Sequence, residues 1–155
     1  ASTGDIMQAA IGQGTVLTTP LQNSFLVSAV LNDGVLMKPY LVDRIQTHDG
    51  DVVTKNEPEQ AKQLLSTEEA AVLRRYMRET VTSGTATALS TGNYKAGGKT
   101  GSAQYKAGSS DSHAWFVGYA VKGEKKLVVS IVVEGAGTGS AYAVPIARKI
   151  FDQYF

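Results

Sequence analysis

The chain has 155 residues, enough for one domain with its own hydrophobic core and too few for two domains of ordinary size. Apolar residues make up 43% and charged residues 19%, a composition that is typical of a globular protein and excludes a disordered chain. The 15 basic and 14 acidic residues are spread out without a basic block, so we expect no nucleic-acid partner. The absence of cysteine excludes disulfides, thiolate metal sites and a cysteine nucleophile.

The first strong signal along the chain is a helix start. Thr19 can cap the helix, Pro20 suits its first turn and Gln22 stands where the partner of a capping box belongs. Residues 21–31 are apolar nearly all round, which predicts a buried helix. Gly34 can adopt the left-handed conformation that ends it.

A hairpin and a second helix are predicted next. Alternating apolar residues at 40–47 and 51–55 flank His48-Asp49-Gly50, a turn sequence that favours a hairpin. Ser66-Thr67-Glu68-Glu69 is another capping box, and apolar residues at helical spacing follow it until Gly84.

The second half of the chain reads as strands followed by one helix. Three strands are expected, at residues 98–105, 114–121 and 127–134. The short linkers at 108–112 and 122–125 favour an antiparallel meander. A closing helix runs to Phe155, and we expect Pro145 to lie in its first turn. This order of elements predicts an α+β fold.

The stretch of residues 97–104 contains the residues best suited to chemistry. Gly101 would let a ligand approach the strand closely, and the hydroxyls of Thr100 and Ser102 project to the same side. A cation at Lys99 beside hydroxyls and exposed amides suits a carboxylate or a developing oxyanion. Taken alone, the tripeptide Lys99-Thr100-Gly101 is a weak signal, because it is also consistent with an ordinary lysine on an edge strand.

Five phrases in a fixed order give this stretch its context, and the resemblance that they carry runs from about residue 5 to the end. They are Ile11-Gly12-Gln13-Gly14, Thr19-Pro20-Leu21-Gln22, Thr82-Ser83-Gly84-Thr85-Ala86, Gly98-Lys99-Thr100-Gly101-Ser102-Ala103-Gln104 and Trp115-Phe116-Val117-Gly118-Tyr119. The set resembles the class B penicillin-binding proteins, which are monofunctional transpeptidases; Lys-Thr-Gly is one of the signatures of penicillin-binding proteins.

The resemblance implies a penicillin-recognising α+β fold, an antiparallel sheet with flanking helices, of which residues 1–155 would be the C-terminal portion of one transpeptidase domain. It implies that Lys99 lends positive charge to catalysis and that the main-chain amide of Ser102 is an oxyanion donor. Thr100, Gly101, Ser102 and Gln104 are the expected substrate-binding residues. Ser102 departs from the more frequent threonine but keeps the hydroxyl.

The implied reaction is D-alanyl-D-alanine transpeptidation, with peptidoglycan stem peptides as substrates, β-lactam antibiotics as inhibitors and no metal or organic cofactor. The implied location is the extracytoplasmic face of the bacterial membrane, with an N-terminal anchor outside this chain.

Two motifs of the family are absent from the sequence. Neither Ser-x-x-Lys, which holds the nucleophile, nor Ser-x-Asn occurs. We expect both in a preceding part of the same domain, so this chain alone should not catalyse acyl transfer. The alternatives are a β-lactamase, carboxypeptidase or β-lactam sensor of the same superfamily, or a non-catalytic interaction module.

The remaining candidates are expected to be structural. His48 and His113 lack the spacing of metal ligands and are predicted at the surface. Gly12-Gln13-Gly14 is interpreted as a tight turn near the floor of the site, and residues 135–139 as a loop bordering the cleft. Three aromatic residues of the predicted second strand are expected in the core: Trp115, Phe116 and Tyr119. The other possibility is that an alternate side chain among them edges the cleft.

Overall fold

The computed structural model describes residues 2–105 and 111–155. These residues form four α-helices: α1 Thr3–Ala10, α2 Pro20–Leu31, α3 Thr67–Thr82 and α4 Gly139–Tyr154. They also form seven strands: β1 Val35–Met37, β2 Arg44–Gln46, β3 Val52–Lys55, β4 Gln60–Gln63, β5 Lys95–Gln104, β6 Ser112–Lys122 and β7 Lys125–Val133. The predicted α+β class is confirmed. Most of the predicted linker at 108–112 lies outside the described residues.

The main sheet has the strand order β5-β6-β7, and both pairings are antiparallel, so the predicted meander is confirmed. Within the described residues β5 is an edge strand, and it begins three residues earlier than predicted. α4 covers one face of the sheet, where Phe116 of β6 and Phe151 of α4 are completely buried. This core holds β5 in place while leaving its outer edge accessible.

Reciprocal caps start three of the helices. At α2 the Thr19 hydroxyl accepts the Gln22 N–H at 3.1 Å, and the Gln22 side chain accepts the Thr19 N–H at 2.8 Å. Ser66 caps α3 in the same way, as predicted. Ser2 caps α1, a helix that no prediction covers. The 3-10 helix Thr87–Leu89 follows α3 and leads to the main sheet.

The helix α2 has the predicted bounds but not the predicted burial. Val27, Ala29 and Val30 are buried, whereas Leu21 is 62% exposed and Leu26 is 55% exposed. The burial lies in the C-terminal half of α2, which packs against α3 and the main sheet. The prediction of all-round burial is therefore wrong for the first half of the helix.

Pro145 lies in the interior of α4, so the prediction that it falls in the first turn is wrong. Its ring nitrogen cannot donate to the carbonyl of Ala141, and an interior proline costs about 3 kcal/mol or more. Full burial of Val144 and Phe151 on the sheet contributes about 1.5–3 kcal/mol for each side chain. This packing offsets the cost, and the helix continues through the proline.

The predicted hairpin is confirmed as β2 and β3, although its first strand is shorter than expected. Every residue of both strands is exposed. A second antiparallel pair, β1 with β4, joins the end of α2 to the segment before α3. In the described part of the chain, no helix is both long and apolar enough to cross a membrane.

Candidate active site

Main-chain groups of Thr100 and Ser102 point outward at the open edge of the main sheet. The Lys99 Nζ donates to the carbonyl of Thr100 at 2.6 Å, and the Gln13 Nε2 donates to the carbonyl of Ser102 at 3.2 Å. In an antiparallel strand, the N–H and C=O of one residue point to the same side, and the direction alternates along the chain. The N–H groups of Thr100 and Ser102 therefore point, like their carbonyls, away from β6.

Two hydroxyls meet beside this edge. The Thr85 Oγ1 lies 2.6 Å from the Thr100 Oγ1, which fixes the Thr100 side chain. Thr85 belongs to the Gly84-Thr85-Ala86 phrase that follows α3, and its contact with the strand was not predicted. The side chains of Thr100 and Ser102 share one side of β5, as the strand alternation predicts.

Lys99 is exposed, and it forms no ion pair with any carboxylate of the described residues. Its ammonium is held by a single main-chain carbonyl, that of Thr100. A charged donor in this position can bind an anion without first breaking a salt bridge.

A groove of about 600 Å³ runs beside the second half of β5. One side consists of residues 101–105 with His113 and Trp115, and the other of residues 11–14 and 16–18 with Asn23. Gly101, Ser102 and Gln104 thus line it, whereas Lys99 and Thr100 precede it on the strand. Gln13 connects the two sides through its bond to Ser102, at a separation of 89 residues.

The turn at residues 12–14 has the predicted character, because Gly12 and Gly14 adopt φ values of 74° and 76°. A side chain at either position would be strained in this left-handed conformation. The turn presents Gln13 to β5 as a lateral part of the groove, a role that the sequence pattern did not assign to it.

His113 differs from its prediction as a surface histidine. It is half-buried, its ring stacks on Tyr105 with centroids 4.3 Å apart, and its Nδ1 accepts the N–H of Gly135 at 3.0 Å. His48 is exposed in the hairpin turn, as predicted. Across residues 2–105 and 111–155, no three His, Asp or Glu side chains cluster as a metal site would require.

The aromatic residues of β6 divide between the core and the edge of the groove, the two positions that were predicted for them. Phe116 and Tyr119 are buried, whereas Trp115 is half-buried and lines the groove. The loop at 135–139 is not among the groove-lining residues; it reaches the site through its bond to His113.

Residues 2–152 match the penicillin binding protein transpeptidase domain family. The chain belongs to this family. The resemblance indicated by its motifs is thereby confirmed.

Relatives of the transpeptidase family show how much of a whole protein the chain represents. The chain is 33% identical to the peptidoglycan D,D-transpeptidase PbpA of Mycolicibacterium smegmatis, and the aligned region covers 96% of this chain and 33% of that protein. It is 34% identical to the peptidoglycan D,D-transpeptidase MrdA of Haemophilus influenzae, and that aligned region covers 97% of this chain and 26% of that protein. The chain thus spans about a third or less of the length of these curated relatives.

A solved structure supports the predicted fold. The imipenem acyl-enzyme complex of penicillin-binding protein A from M. tuberculosis superimposes with a TM-score of 0.81 at 28% identity, over 99% of this chain and 34% of that one. The penicillin-recognising α+β fold is therefore confirmed.

Proposed function

We propose that this chain is the part of a peptidoglycan D,D-transpeptidase that binds the D-alanyl-D-alanine end of a stem peptide along β5. The observation that carries the proposal is the open edge of β5, where the Lys99 ammonium, the Thr100 and Ser102 hydroxyls and outward-pointing main-chain groups lie together. An extended peptide can add to such an edge as a further strand.

Each residue of the edge has a role in this proposal. Lys99 supplies positive charge, and the hydroxyls of Thr100 and Ser102 bind the substrate carboxylate. Gly101 lets the peptide approach, and Gln104 contacts it further along the groove. The N–H of Ser102 stabilises the oxyanion that forms when the penultimate carbonyl is attacked; losing such a donor costs about 2.7–4 kcal/mol of barrier stabilisation.

The nucleophile is proposed to come from another segment of the same protein, because the sequence contains no Ser-x-x-Lys. A serine Oγ would attack the penultimate D-alanine carbonyl, the terminal D-alanine would leave as the free amine, and an amine of a second stem would then resolve the ester. A β-lactam would acylate the same serine through opening of its ring. The chain by itself is proposed to be inactive.

The surface of the N-terminal part supports an interface with that segment. Ile6, Met7, Ile11 and Leu17 are between 62% and 91% exposed. Exposed apolar side chains of this kind suit an interface with another polypeptide. We place the complete protein outside the cytoplasm, held at the membrane by a segment that is not in this chain.

Labelling with fluorescent penicillin tests this function. The full-length protein that carries this chain should form a covalent adduct, which prior incubation with unlabelled penicillin should prevent. The 155-residue chain alone should stay unlabelled. A labelled band from the isolated chain would show that the nucleophile has been misassigned. A full-length protein that never labels would favour a non-catalytic interaction module instead.

A further inference from the structure

The glycine loop, residues 135–139, is attached to the start of β6 by three hydrogen bonds. The N–H of Gly135 donates to the His113 Nδ1 at 3.0 Å. The N–H of Gly137 donates to the carbonyl of Ser112 at 2.9 Å, and the Ser112 hydroxyl donates to the carbonyl of Gly137 at 2.9 Å. Ser112 is only 7% exposed, so the two bonds that it forms with Gly137 are shielded from water, whereas the bond to His113 lies in an exposed position.

The far end of the glycine loop reaches the Lys-Thr-Gly strand itself. A Cβ added to Gly139 would lie 2.7 Å from the carbonyl oxygen of Gly101 and 2.1 Å from that of Trp115. The start of α4 is therefore in direct contact with the main chain of Gly101, the residue that precedes the proposed oxyanion donor Ser102. Any residue larger than glycine at this position would push α4 and β5 apart.

The segment after Gly101 is attached to the same histidine. The ring of Tyr105 stacks on His113 with an angle of 11° between the planes. One imidazole thus contacts Tyr105, the residue directly after β5, through its face and the glycine loop through its Nδ1. Because Nδ1 accepts a hydrogen bond, the proton of the neutral ring must be on Nε2.

We infer that His113 is a positioning residue for the acylation step. By binding the Gly135 N–H it holds the glycine loop, and through Gly139 it fixes the Gly101–Ser102 peptide where the developing oxyanion will lie. Catalytic donors must be held within about 0.5 Å of the productive geometry, so a small displacement of this support should slow acylation. This inference rests on the proposed function, because it assigns His113 to the same site.

Two substitutions separate the hydrogen bond from the ring stack. His113→Asn keeps an acceptor at the position of Nδ1, whereas His113→Phe keeps a ring against Tyr105 and removes the acceptor. In the full-length protein, the acylation rate constant at saturating β-lactam and the dissociation constant of the non-covalent complex are measured separately. His113→Phe should lower the rate constant about tenfold with little change in the dissociation constant, and His113→Asn should stay within about twofold of the unsubstituted protein.

Controls distinguish positioning from general destabilisation. His48→Phe, in the exposed hairpin turn, should leave both constants unchanged. Gly139→Ala should reproduce the slow acylation while His113 is intact. Equal rate constants for His113→Phe and His113→Asn would overturn the inference, as would a lower melting temperature for His113→Phe with an unchanged rate constant.

Amide hydrogen exchange supplies a readout that does not depend on acylation. His113→Phe should accelerate exchange both in residues 135–139 and at Gly101, whose N–H points toward β6, and His113→Asn should do neither. Faster exchange confined to the loop would overturn the inference. A full-length protein that fails to react with any β-lactam would refute the proposed function, while this exchange experiment would still decide the coupling of His113 to Gly101.

Discussion

Residues 81–155 and residues 2–63 of this chain differ sharply in how they are packed. The first region contains the core cluster, in which Phe116, Phe151 and Val144 are almost completely buried. In the second region, among the described residues, burial is confined to the stretch from Val27 to Gly34. Both regions are rich in apolar residues, so composition alone does not account for the difference.

The difference lies in whether a facing surface is present. The main sheet is followed directly in sequence by α4, which covers it. No described element covers the hairpin of β2 and β3. Leu41, which precedes the hairpin, is 103% exposed, and Val53 within it is 63% exposed. An apolar pattern therefore shows that a side chain suits burial, but the partner need not lie within the same stretch of sequence.

Truncation of one apolar side chain in each region gives the largest expected contrast. Phe116→Ala should lower the free energy of unfolding by about 3–5 kcal/mol, because it removes a completely buried ring and leaves a cavity. Val53→Ala should change it by no more than about 0.5 kcal/mol, since the side chain already faces solvent. Chemical denaturation of the two variants makes the comparison. Similar losses would mean that the hairpin is packed more tightly than its exposure indicates.

A second contrast tests the proposed functional end of β5 against the other end of the strand. Lys99→Ala in the full-length protein should slow acylation by a β-lactam about a hundredfold, because the charged group at the proposed site of anion binding is lost. Lys95→Ala is the matched control, since Lys95 is an exposed lysine on the same face of the same strand. Both variants should melt at the temperature of the unsubstituted protein. Equal acylation rates for the two would contradict the role proposed for Lys99.

The fold was largely predictable where local signals and burial agree. Helix starts at Thr19 and Ser66 follow from side chains that bind main-chain groups three residues away, so the sequence contains the whole interaction. The meander of β5 to β7 follows from short linkers. Pro145 was misplaced because the packing that offsets its cost involves β6 and β7, which a helix pattern does not contain.

The site was predictable only in its strand. Lys99 to Ser102 are adjacent in sequence, and strand alternation gives their relative directions. Gln13 and Thr85 were missed as contacts because they reach Ser102 and Thr100 across tertiary structure. The one available signal was that both residues belong to the recurring phrases of the family. The contact of His113 with the glycine loop was missed because the loop lies more than 20 residues away in sequence.

The smallest predicted effect concerns an ion pair in the packed region. The Arg148 Nε lies 2.6 Å from Asp152, and the Tyr94 hydroxyl donates to the same carboxylate at 2.9 Å. The hydrogen bond from Arg148 is the main cause that lowers the pKa of Asp152 below its ordinary 3.8, against the opposing effect of burial. Burial, with the bond to Asp152, raises the pKa of Tyr94 to about 12.

The two shifts give opposite signs of pH dependence. A lowered carboxyl pKa stabilises the fold above pH 3.8, and this contribution is lost as the pH falls through the lower folded value. A raised phenol pKa stabilises the fold below pH 10, and this contribution is lost as the pH rises from 10 toward about 12. Asp152→Asn should therefore flatten the acid side of a plot of melting temperature against pH, and Tyr94→Phe should flatten the alkaline side.

At neutral pH, Asp152→Asn should lower the melting temperature by about 2 °C or less, because partly exposed ion pairs contribute little. Asp43→Asn, which breaks the exposed pair of Asp43 with Arg44 beside the hairpin, is the control and should change it less. The relative size of these two shifts tests whether ion pairs in the packed region contribute more to stability. Arg148 also donates to Thr91 at 2.7 Å and so connects α4 to the segment before β5. Arg44 and Asp43, by contrast, are sequence neighbours. An equal or larger shift for Asp43→Asn would show that ion pairs in the two regions do not follow the difference in packing.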